Sequence, residues 1–301
     1  MRRDTAQMQA PDTTPGLTVT GLEGPSPGAL CEQDVPADPV DTVWATIRRE
    51  GVEAAERDVL MAQPITAALL RHGTFAEGLA VRLGRKLGDA DIGVGPLTAL
   101  IGEVLAEDHS IVQAAARDLA AVRDRDPASP DLITPFLFFK GYLSLQAHRV
   151  AHHLWRRERQ HLARHLQSRV SEVFGVDIHP AARLGCGILL DHGTGLVIGE
   201  TAVVEDDVSI LQGVTLGGTG KECGDRHPKI RRGVLIGAGA KVLGNIEVGE
   251  GAKIGAGSIV LNRVAPHTTV VGNPARTVGA TLTDLPALTM DQTLPAPNYT
   301  I

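Results

Sequence analysis

Hydrophobic residues follow two different periods along the chain, and the period changes at Gly175. Before this glycine, apolar residues recur at intervals of three and four positions. One segment carries four of them in phase: Phe75, Leu79, Leu83 and Leu87. Thr74 and Glu77 fit a capping box at its start, in which each side chain accepts the other residue's backbone N–H. The pattern predicts a series of amphipathic helices over residues 40–174.

The last of these segments, residues 139–170, is predicted as one long helix rich in arginine and histidine. Its histidines suggest a metal site at first sight: His148, His152, His153, His161 and His165. Few carboxylates accompany them, and arginines are interspersed throughout. A basic, solvent-facing helix surface therefore explains the histidines better than a metal site does.

After Gly175 the aliphatic residues recur every six positions, which matches neither an α-helix nor a simple alternating strand. The residues in phase are Ile178, Leu184, Leu190, Ile198, Val204, Ile210, Leu216, Ile236, Val242, Val248, Ile254 and Val260. Six is the period of the hexapeptide repeat, in which about three short faces complete one coil of a parallel β-helix. Two segments interrupt the period, DHGTG at 191–195 and an extruded loop at 216–233. Loops that leave a rigid repeat are common places for functional sites.

Asp191 and His192 follow an inward-facing leucine, so they are predicted to lie at an outward-facing corner. An imidazole can accept a proton near neutral pH, which makes His192 a candidate general base. Asp177 precedes it by nearly one coil and could orient the imidazole as a carboxylate partner. The alternative is an ordinary exposed histidine and an aspartate that caps a turn.

The extruded loop carries a cationic cluster, with Arg226, His227 and Lys229 beside Asp225. Such a cluster suits a carboxylate or a phosphate, although a solvated charged loop has the same composition. The GGTGK stretch before it differs from a nucleotide-binding P-loop, because Glu222 follows the lysine. Its glycine amides could still donate hydrogen bonds to an oxyanion.

Composition narrows the classes of protein without selecting one. The 301 residues carry a net charge of −6, which gives no reason to expect a nucleic-acid partner. Three widely spaced cysteines, Cys31, Cys186 and Cys223, favour neither a disulfide framework nor a metal cluster. An acyl-carrying nucleophile at Cys186 or Cys223 is disfavoured, because neither lies in a known Cys–His motif. No apolar run is long enough for a membrane span and the amino terminus lacks a secretory pattern, so a cytoplasmic protein is expected.

Three motifs together resemble the serine O-acetyltransferase family: VDIHPAA at 176–182, LDHGTG at 190–195 and CGDRHPK at 223–229. The resemblance implies an α + β protein, in which an N-terminal α-helical domain precedes a left-handed parallel β-helix of hexapeptide repeats. The expected boundaries are a disordered leader at 1–37, the helical domain at 38–175, the β-helix acyltransferase domain at 176–274 and a mobile C-terminal tail at 275–301.

The implied reaction is transfer of the acetyl group of acetyl-CoA to the hydroxyl of L-serine, the first step of cysteine biosynthesis, with no metal. The implied catalytic residues are His192 as general base, Asp177 as its orienting partner, and His227. The substrate contacts would be Asp126 and Asp191 for the serine ammonium, and Arg226 and His227 for its carboxylate, with His227 from an adjacent subunit. The acetyl-CoA contacts would be Gly218, Thr219, Ala238, Lys253, Ala256 and Arg276, with Glu200 supporting the site from behind.

The resemblance also implies partners. L-cysteine would act as a feedback inhibitor, with the tail closing over the site, and O-acetylserine sulfhydrylase would bind the terminal Ile301. The chain would form a trimer, or a hexamer made of two trimers, with active sites between neighbouring β-helices.

Three alternatives share the repeats. Another hexapeptide acetyltransferase could modify a sugar or drug hydroxyl, although Arg226 and His227 favour an acceptor that bears a carboxylate. A zinc β-helix hydratase similar to γ-type carbonic anhydrase needs three convergent histidines, which the repeat region does not space correctly: His179, His192, His227 and His267. A non-catalytic scaffold would depend on Ile301 and have no turnover.

Overall fold

The first half of the described chain is helical. The computed structural model describes residues 38–220 and 223–294, so the predicted leader at 1–37 lies outside it. The helices in this half are α1 Pro39–Arg57, α2 Val59–Ile65, α3 Phe75–Leu87, α4 Val94–Glu107, α5 His109–Arg125, α6 Ile133–Phe138, α7 Lys140–Arg156 and α8 Gln160–Phe174, with a π-helical turn at Thr66–Leu70. The capping box of α3 is confirmed, because the Glu77 N–H donates to Thr74 Oγ1 at 3.2 Å and the Thr74 N–H donates to Glu77 Oε2 at 3.3 Å.

The segment predicted as one long helix is two helices. α7 ends at Arg156, and α8 begins at Gln160 after a link in which Glu158 adopts φ 61°. This positive φ breaks the helical path, and α8 packs back against α7. The prediction of a solvent-facing histidine surface is also wrong for His148, which is buried and whose pKa burial lowers well below the usual histidine value. α7 is a central helix of the domain, so its polar residues are covered as well as its apolar ones.

The chain after Gly175 winds into a parallel β-helix with three sheets. The first sheet stacks β1-β4-β7-β10-β13, the second β2-β5-β8-β11, and the third β3-β6-β9-β12-β14-β15. Within residues 176–220 and 223–294, the strand pairings are parallel except that of β14 with β15. The strands are β1 Val176–Ile178, β2 Arg183–Leu184, β3 Leu189–Leu190, β4 Leu196–Ile198, β5 Val203–Val204, β6 Ser209–Ile210, β7 Thr215–Gly217, β8 Lys229–Ile230, β9 Leu235–Ile236, β10 Lys241–Leu243, β11 Glu247–Val248, β12 Lys253–Ile254, β13 Ile259–Val260, β14 Thr268–Gly272 and β15 Ala275–Ala280.

The six-residue period is confirmed in the core of the β-helix. In the first sheet, residues from successive coils stand directly above one another and are at most 3% exposed: Ile178, Ile198, Leu216, Val242 and Val260. Complete burial of one such side chain contributes about 1.5–3 kcal/mol. These stacked aliphatic residues therefore stabilise the winding of the chain and fix which residues face outward at the corners.

A buried ion pair joins the helical domain to the first coil. Asp118 of α5 is fully buried and accepts hydrogen bonds from Arg149 Nη2 of α7 at 2.6 Å and from the Ile188 N–H at 3.0 Å. The same guanidinium donates to the carbonyl oxygen of Gly185 at 2.7 Å. Each buried charge is thus compensated by several partners, which a buried ion pair requires.

Part of the predicted tail lies along the third sheet. β15 pairs with β14, and a short helix, α9 Pro286–Thr289, packs against α5 and β9 with Ala287 fully buried. Beyond α9, the carbonyl oxygens of Asp291 and Thr293 accept hydrogen bonds from Lys253 Nζ at 3.3 and 2.5 Å.

Candidate active site

The turn at residues 191–195 lies at the corner where β3 of the third sheet leads into β4 of the first. The Asp191 N–H donates to the Ile210 carbonyl at 2.9 Å, which continues the β-helix ladder into the turn. His192 then adopts φ 57° and Gly193 φ 73°. The left-handed conformation is uncommon for a residue with a side chain and costs on the order of 1–3 kcal/mol. His192 lies at an outward-facing corner, as predicted, with 75% of its side chain exposed.

One carboxylate lies beside this imidazole, and a second acts on the first. Asp191 Oδ1 is 3.8 Å from His192 Nε2, and Asp126, which follows the last residue of α5, is close enough to repel Asp191. Burial raises the pKa of Asp191, and the Asp126 charge adds to the rise while His192 opposes it. A bound cation would relieve this repulsion, so the corner suits an ammonium group.

Asp177 lies on β1 with its side chain on the outer face of the first sheet. Its Oδ1 accepts a hydrogen bond from Gln167 Nε2 of α8 at 2.7 Å. Among the described residues, no hydrogen bond or ion pair within 4.0 Å joins Asp177 to His192. The role of Asp177 as the partner of His192 stays a prediction.

The extruded loop leaves β7 of the first sheet and returns to β8 of the second, at a different corner from the turn at 191–195. Arg226 Nη2 donates to Glu200 Oε2 at 2.6 Å, and this contact lowers the pKa of Glu200. Lys229 Nζ is used within the loop, where it donates to Asp225 Oδ1 at 2.7 Å and lowers the pKa of that carboxyl. Glu200 therefore orients Arg226, and Arg226 and His227 remain the candidates for binding an anion.

His227 is buried at this second corner, with only 7% of the residue exposed. Its ring packs against Gly199, where an added methyl group would come within 2.1 Å of Cδ2 and Nε2. Burial lowers the pKa of His227, and the neighbouring Arg226 lowers it further. His227 is therefore neutral near physiological pH and can donate one N–H to a ligand.

The residues predicted to contact acetyl-CoA divide between the corners. Ala238 and Ala256 lie at the same corner as His192, two and three coils further along, where the turns stack through the Gly257 N–H and the Ala238 carbonyl at 2.8 Å. At about 4.8 Å per coil, these alanines mark a line that extends roughly 10–14 Å from the turn at 191–195. Gly218 and Thr219 lie instead beside Arg226 at the second corner.

The two predicted phosphate contacts lie on the third sheet. Lys253 is buried under the tail, as described above, and Arg276 on β15 is exposed, with Nη1 donating to the Ala275 carbonyl at 3.0 Å. Ile301 lies outside the described residues, and its binding of a sulfhydrylase stays a prediction.

The two cysteines of the β-helix region differ in exposure. Cys186 is partly buried, and burial together with Asp206 raises the pKa of its thiol to about 11. A thiol with this pKa is mostly protonated near neutral pH and is a weak nucleophile. Cys223 is exposed on the extruded loop.

Three residues of the site were missed from the sequence: Gly199, Thr201 and Gln167. Thr201 lies 3.1 Å, through its backbone nitrogen, from His227 Nδ1, although 26 positions separate the two residues. No pattern in a single sequence pairs residues across an extruded loop. The nearest signal was the turn sequence IGET at 198–201, which pointed only to Glu200.

The described residues show neither a metal site nor a membrane span. No group of three or more metal-type side chains converges within 38–220 and 223–294. In the same residues, none of the helices combines the length and the apolar character needed to cross a membrane.

The chain has a helical domain followed by a parallel β-helix of hexapeptide period, and the corners of the β-helix carry a candidate base and a cationic loop. These features are those of the hexapeptide-repeat transferase class. Residues 227–262 match the family described as bacterial transferase hexapeptide (six repeats), and residues 43–147 match that described as serine acetyltransferase, N-terminal. Over 258 residues the chain is 52% identical to the serine acetyltransferase of Salmonella typhimurium, covering 86% of this chain and 94% of that protein. The chain belongs to the serine acetyltransferase family.

Solved structures agree in fold. A serine acetyltransferase from Brucella abortus in complex with coenzyme A is 49% identical, with a TM-score of 0.80 over 82% of this chain and 99% of that one. A serine acetyltransferase in complex with cysteine is 49% identical, with a TM-score of 0.84 over 86% of this chain and all of that one. The fold class expected from the sequence, a helical domain followed by a left-handed parallel β-helix, is confirmed.

Proposed function

We propose that the protein transfers the acetyl group of acetyl-CoA to the hydroxyl of L-serine, with His192 as general base. The observation that carries this proposal is the corner at 191–195, where the exposed His192 imidazole lies 3.8 Å from the half-buried Asp191 carboxylate. In a member of the serine acetyltransferase family, this corner has the chemistry needed for a substrate with an ammonium group and a hydroxyl.

L-serine would be held by complementary charges at its two ends. Asp126 and Asp191 bind the ammonium, which relieves their mutual repulsion. Arg226 and His227 bind the carboxylate, the first through its charge and the second through a neutral N–H donor. An acceptor without a carboxylate, such as a sugar, would leave Arg226 and His227 unused.

The chemical step is a direct transfer between two bound substrates. His192 takes the proton of the serine hydroxyl as its oxygen attacks the thioester carbonyl, and a backbone amide near Gly218 stabilises the oxyanion. The C–S bond then breaks, and the imidazolium returns the proton to the leaving thiolate of CoA. General-base assistance of this kind contributes roughly 10²–10⁴-fold. Asp177 would orient the imidazole and stabilise its charged form.

The site requires two copies of the chain. The corner with His192 and the corner with His227 are separated by a face of the β-helix, which at three residues of strand is roughly 10 Å wide. This width exceeds the length of serine, so one chain cannot present both sets of groups to one substrate. We propose that His227 and Arg226 come from an adjacent subunit, in a trimer or in a hexamer made of two trimers.

Ligands and partners follow from the same assignment. The acetyl-CoA arm would lie along the corner past Ala238 and Ala256, with its phosphates near Lys253 and Arg276, and the coenzyme A complex of a relative supports this ligand. L-cysteine is proposed as the feedback inhibitor, supported by the cysteine complex of a relative. Sulfhydrylase binding through Ile301 and a cytoplasmic location stay predictions from the sequence.

The test is release of CoA thiol from acetyl-CoA in the presence of L-serine, with wild-type protein and the variants His192→Ala and His109→Ala. His109 is an exposed histidine at the first position of α5 and serves as the matched control. We expect His192→Ala to lower kcat by roughly 10²-fold or more while acetyl-CoA still binds, and His109→Ala to leave kcat unchanged. An unchanged kcat in His192→Ala would exclude His192 as the base. A burst of thiol without serine would indicate an acetyl-enzyme on a cysteine instead.

A further inference from the structure

Thr201 connects the corner after β4 to the extruded loop through each of its polar groups. Its hydroxyl oxygen accepts the backbone N–H of Arg226 at 3.0 Å and that of His227 at 3.1 Å. Its carbonyl oxygen accepts a hydrogen bond from Lys229 Nζ at 3.1 Å. One threonine therefore fixes the backbone of both residues proposed to bind the serine carboxylate.

Thr201 also determines which ring nitrogen of His227 carries the proton. The Thr201 N–H donates to His227 Nδ1 at 3.1 Å, and a ring nitrogen that accepts an N–H must present a lone pair. The Thr201 hydroxyl lies 2.9 Å from the same nitrogen and, like the N–H, can donate to it. The proton of the neutral ring is therefore on Nε2.

The Nε2–H group is available to a ligand. Among the residues the structure describes, Nε2 has no hydrogen-bond partner. It is also absent from the fully buried polar atoms that lack a partner, so it keeps some exposed surface. The opposite tautomer would direct a lone pair at this point, and a lone pair repels a carboxylate. Recognition of the carboxylate by His227 thus depends on the tautomer that Thr201 holds.

We propose that Thr201 is a positioning residue for carboxylate recognition, which orders the extruded loop and holds His227 as the Nε2–H tautomer. This inference rests on the proposed function, since it concerns how the same site distinguishes L-serine from acceptors without a carboxylate. Thr201 acts through His227 and Arg226, whose backbone N–H groups its hydroxyl holds. A hydrogen bond to a charged group changes affinity by roughly 10- to 150-fold, which sets the size of the expected effect.

The experiment compares Thr201→Val, which replaces the hydroxyl with a methyl group and leaves the backbone N–H in place, with Thr201→Ser, which keeps the hydroxyl. Thr46→Val is the matched control, because Thr46 is partly exposed on α1 and its hydroxyl donates to the Thr42 carbonyl, far from the extruded loop in sequence. The acceptors are L-serine and ethanolamine, which has the same hydroxyl and ammonium groups but no carboxylate. We expect Thr201→Val to raise KM for L-serine roughly 10-fold or more, with KM for acetyl-CoA and kcat/KM for ethanolamine within about twofold of wild type. Thr201→Ser and Thr46→Val should behave as wild type.

A double-mutant cycle with His227→Ala gives a second measurement that needs only L-serine. Because the Thr201 hydroxyl holds the backbone N–H groups of both Arg226 and His227, Thr201→Val should cause a clearly smaller loss in the His227→Ala background than in the wild-type protein. Equal losses for both acceptors, failure of Thr201→Ser to retain activity, or fully additive losses in the cycle would each overturn the inference. Wild-type protein that does not acetylate L-serine would contradict the proposed function itself, which keeps the two failures distinct.

Discussion

Gly199 packs against the His227 ring, so Gly199→Ala should displace the imidazole without changing the chemistry of any group proposed to meet the substrate. The added methyl carbon would lie 2.1 Å from Cδ2 and Nε2 and 2.8 Å from Cε1, whereas ordinary contacts begin at 3.4 Å. The ring must therefore move by roughly 1.3 Å. Gly199 does not adopt a positive φ, so alanine fits its backbone and the effect is steric alone.

This displacement is large enough to separate the ring from both of its partners. The hydrogen bond from the Thr201 N–H to Nδ1, now 3.1 Å, would lengthen beyond bonding range, and Nε2 would no longer face the carboxylate. Loss of a hydrogen bond to a charged group costs about 1.5–3 kcal/mol, which corresponds to a fall of roughly 10- to 150-fold in kcat/KM for L-serine. Overpacking of this kind also destabilises the fold by about 1–3 kcal/mol.

The measurement is kcat/KM for L-serine from CoA thiol release, together with the melting temperature of the same preparation. Gly102→Ala is the matched control, because an added methyl at this α4 position meets nothing within 4 Å. Alanine there should stabilise the helix by about 0.5–1 kcal/mol and leave catalysis unchanged. A folded Gly199→Ala protein with kcat/KM within twofold of wild type would show that the position of His227 does not matter for serine.

Three further predictions follow from ionised groups. Asp191 must be charged to bind an ammonium, and its pKa is raised by burial and by the Asp126 charge, so KM for L-serine should increase as pH falls through this raised pKa. Asp126→Asn removes the like charge and should move that increase in KM to lower pH. Asp118→Ala leaves Arg149 buried without its partner and should lower the free energy of unfolding by about 3–5 kcal/mol, measured by urea denaturation at fixed protein concentration. Arg276→Met should raise KM for acetyl-CoA about tenfold and leave KM for L-serine unchanged, because it removes an exposed cation proposed to meet the CoA phosphates.

Each of these has an outcome that contradicts it. An unshifted pH dependence in Asp126→Asn would mean that the two carboxylates do not interact. For the buried pair, Glu53→Gln is the comparison, since Glu53 pairs with Arg49 on an exposed face of α1 and should contribute less than about 1 kcal/mol. If Asp118→Ala costs no more than Glu53→Gln, the buried pair does not stabilise the fold. An unaltered KM for acetyl-CoA in Arg276→Met would place the phosphates elsewhere.

The period of the aliphatic residues predicted the β-helix because each coil places its core residues at equivalent points. Ile178 and Ile198 are paired neighbours in the first sheet, and the phase slip between Leu190 and Ile198 is the turn that carries His192. The break between α7 and α8 could not be predicted in the same way. Glu158 ends α7 through its φ of 61°, and neither glycine nor proline marks the position.

The sequence predicted those site residues whose role can be recognised from the residue type and its neighbours in the chain. His192 and Arg226 were found because their chemistry is visible in the residue type and its neighbours. Thr201 and Gly199 were not found, because their roles depend on how the extruded loop returns to the corner after β4. A β-helix fixes the spacing between coils through its core, and a loop that leaves it has no such constraint. The contacts that fix this loop in place, such as those of Thr201, are made by polar residues at the corners, where the hydrophobic period carries no information.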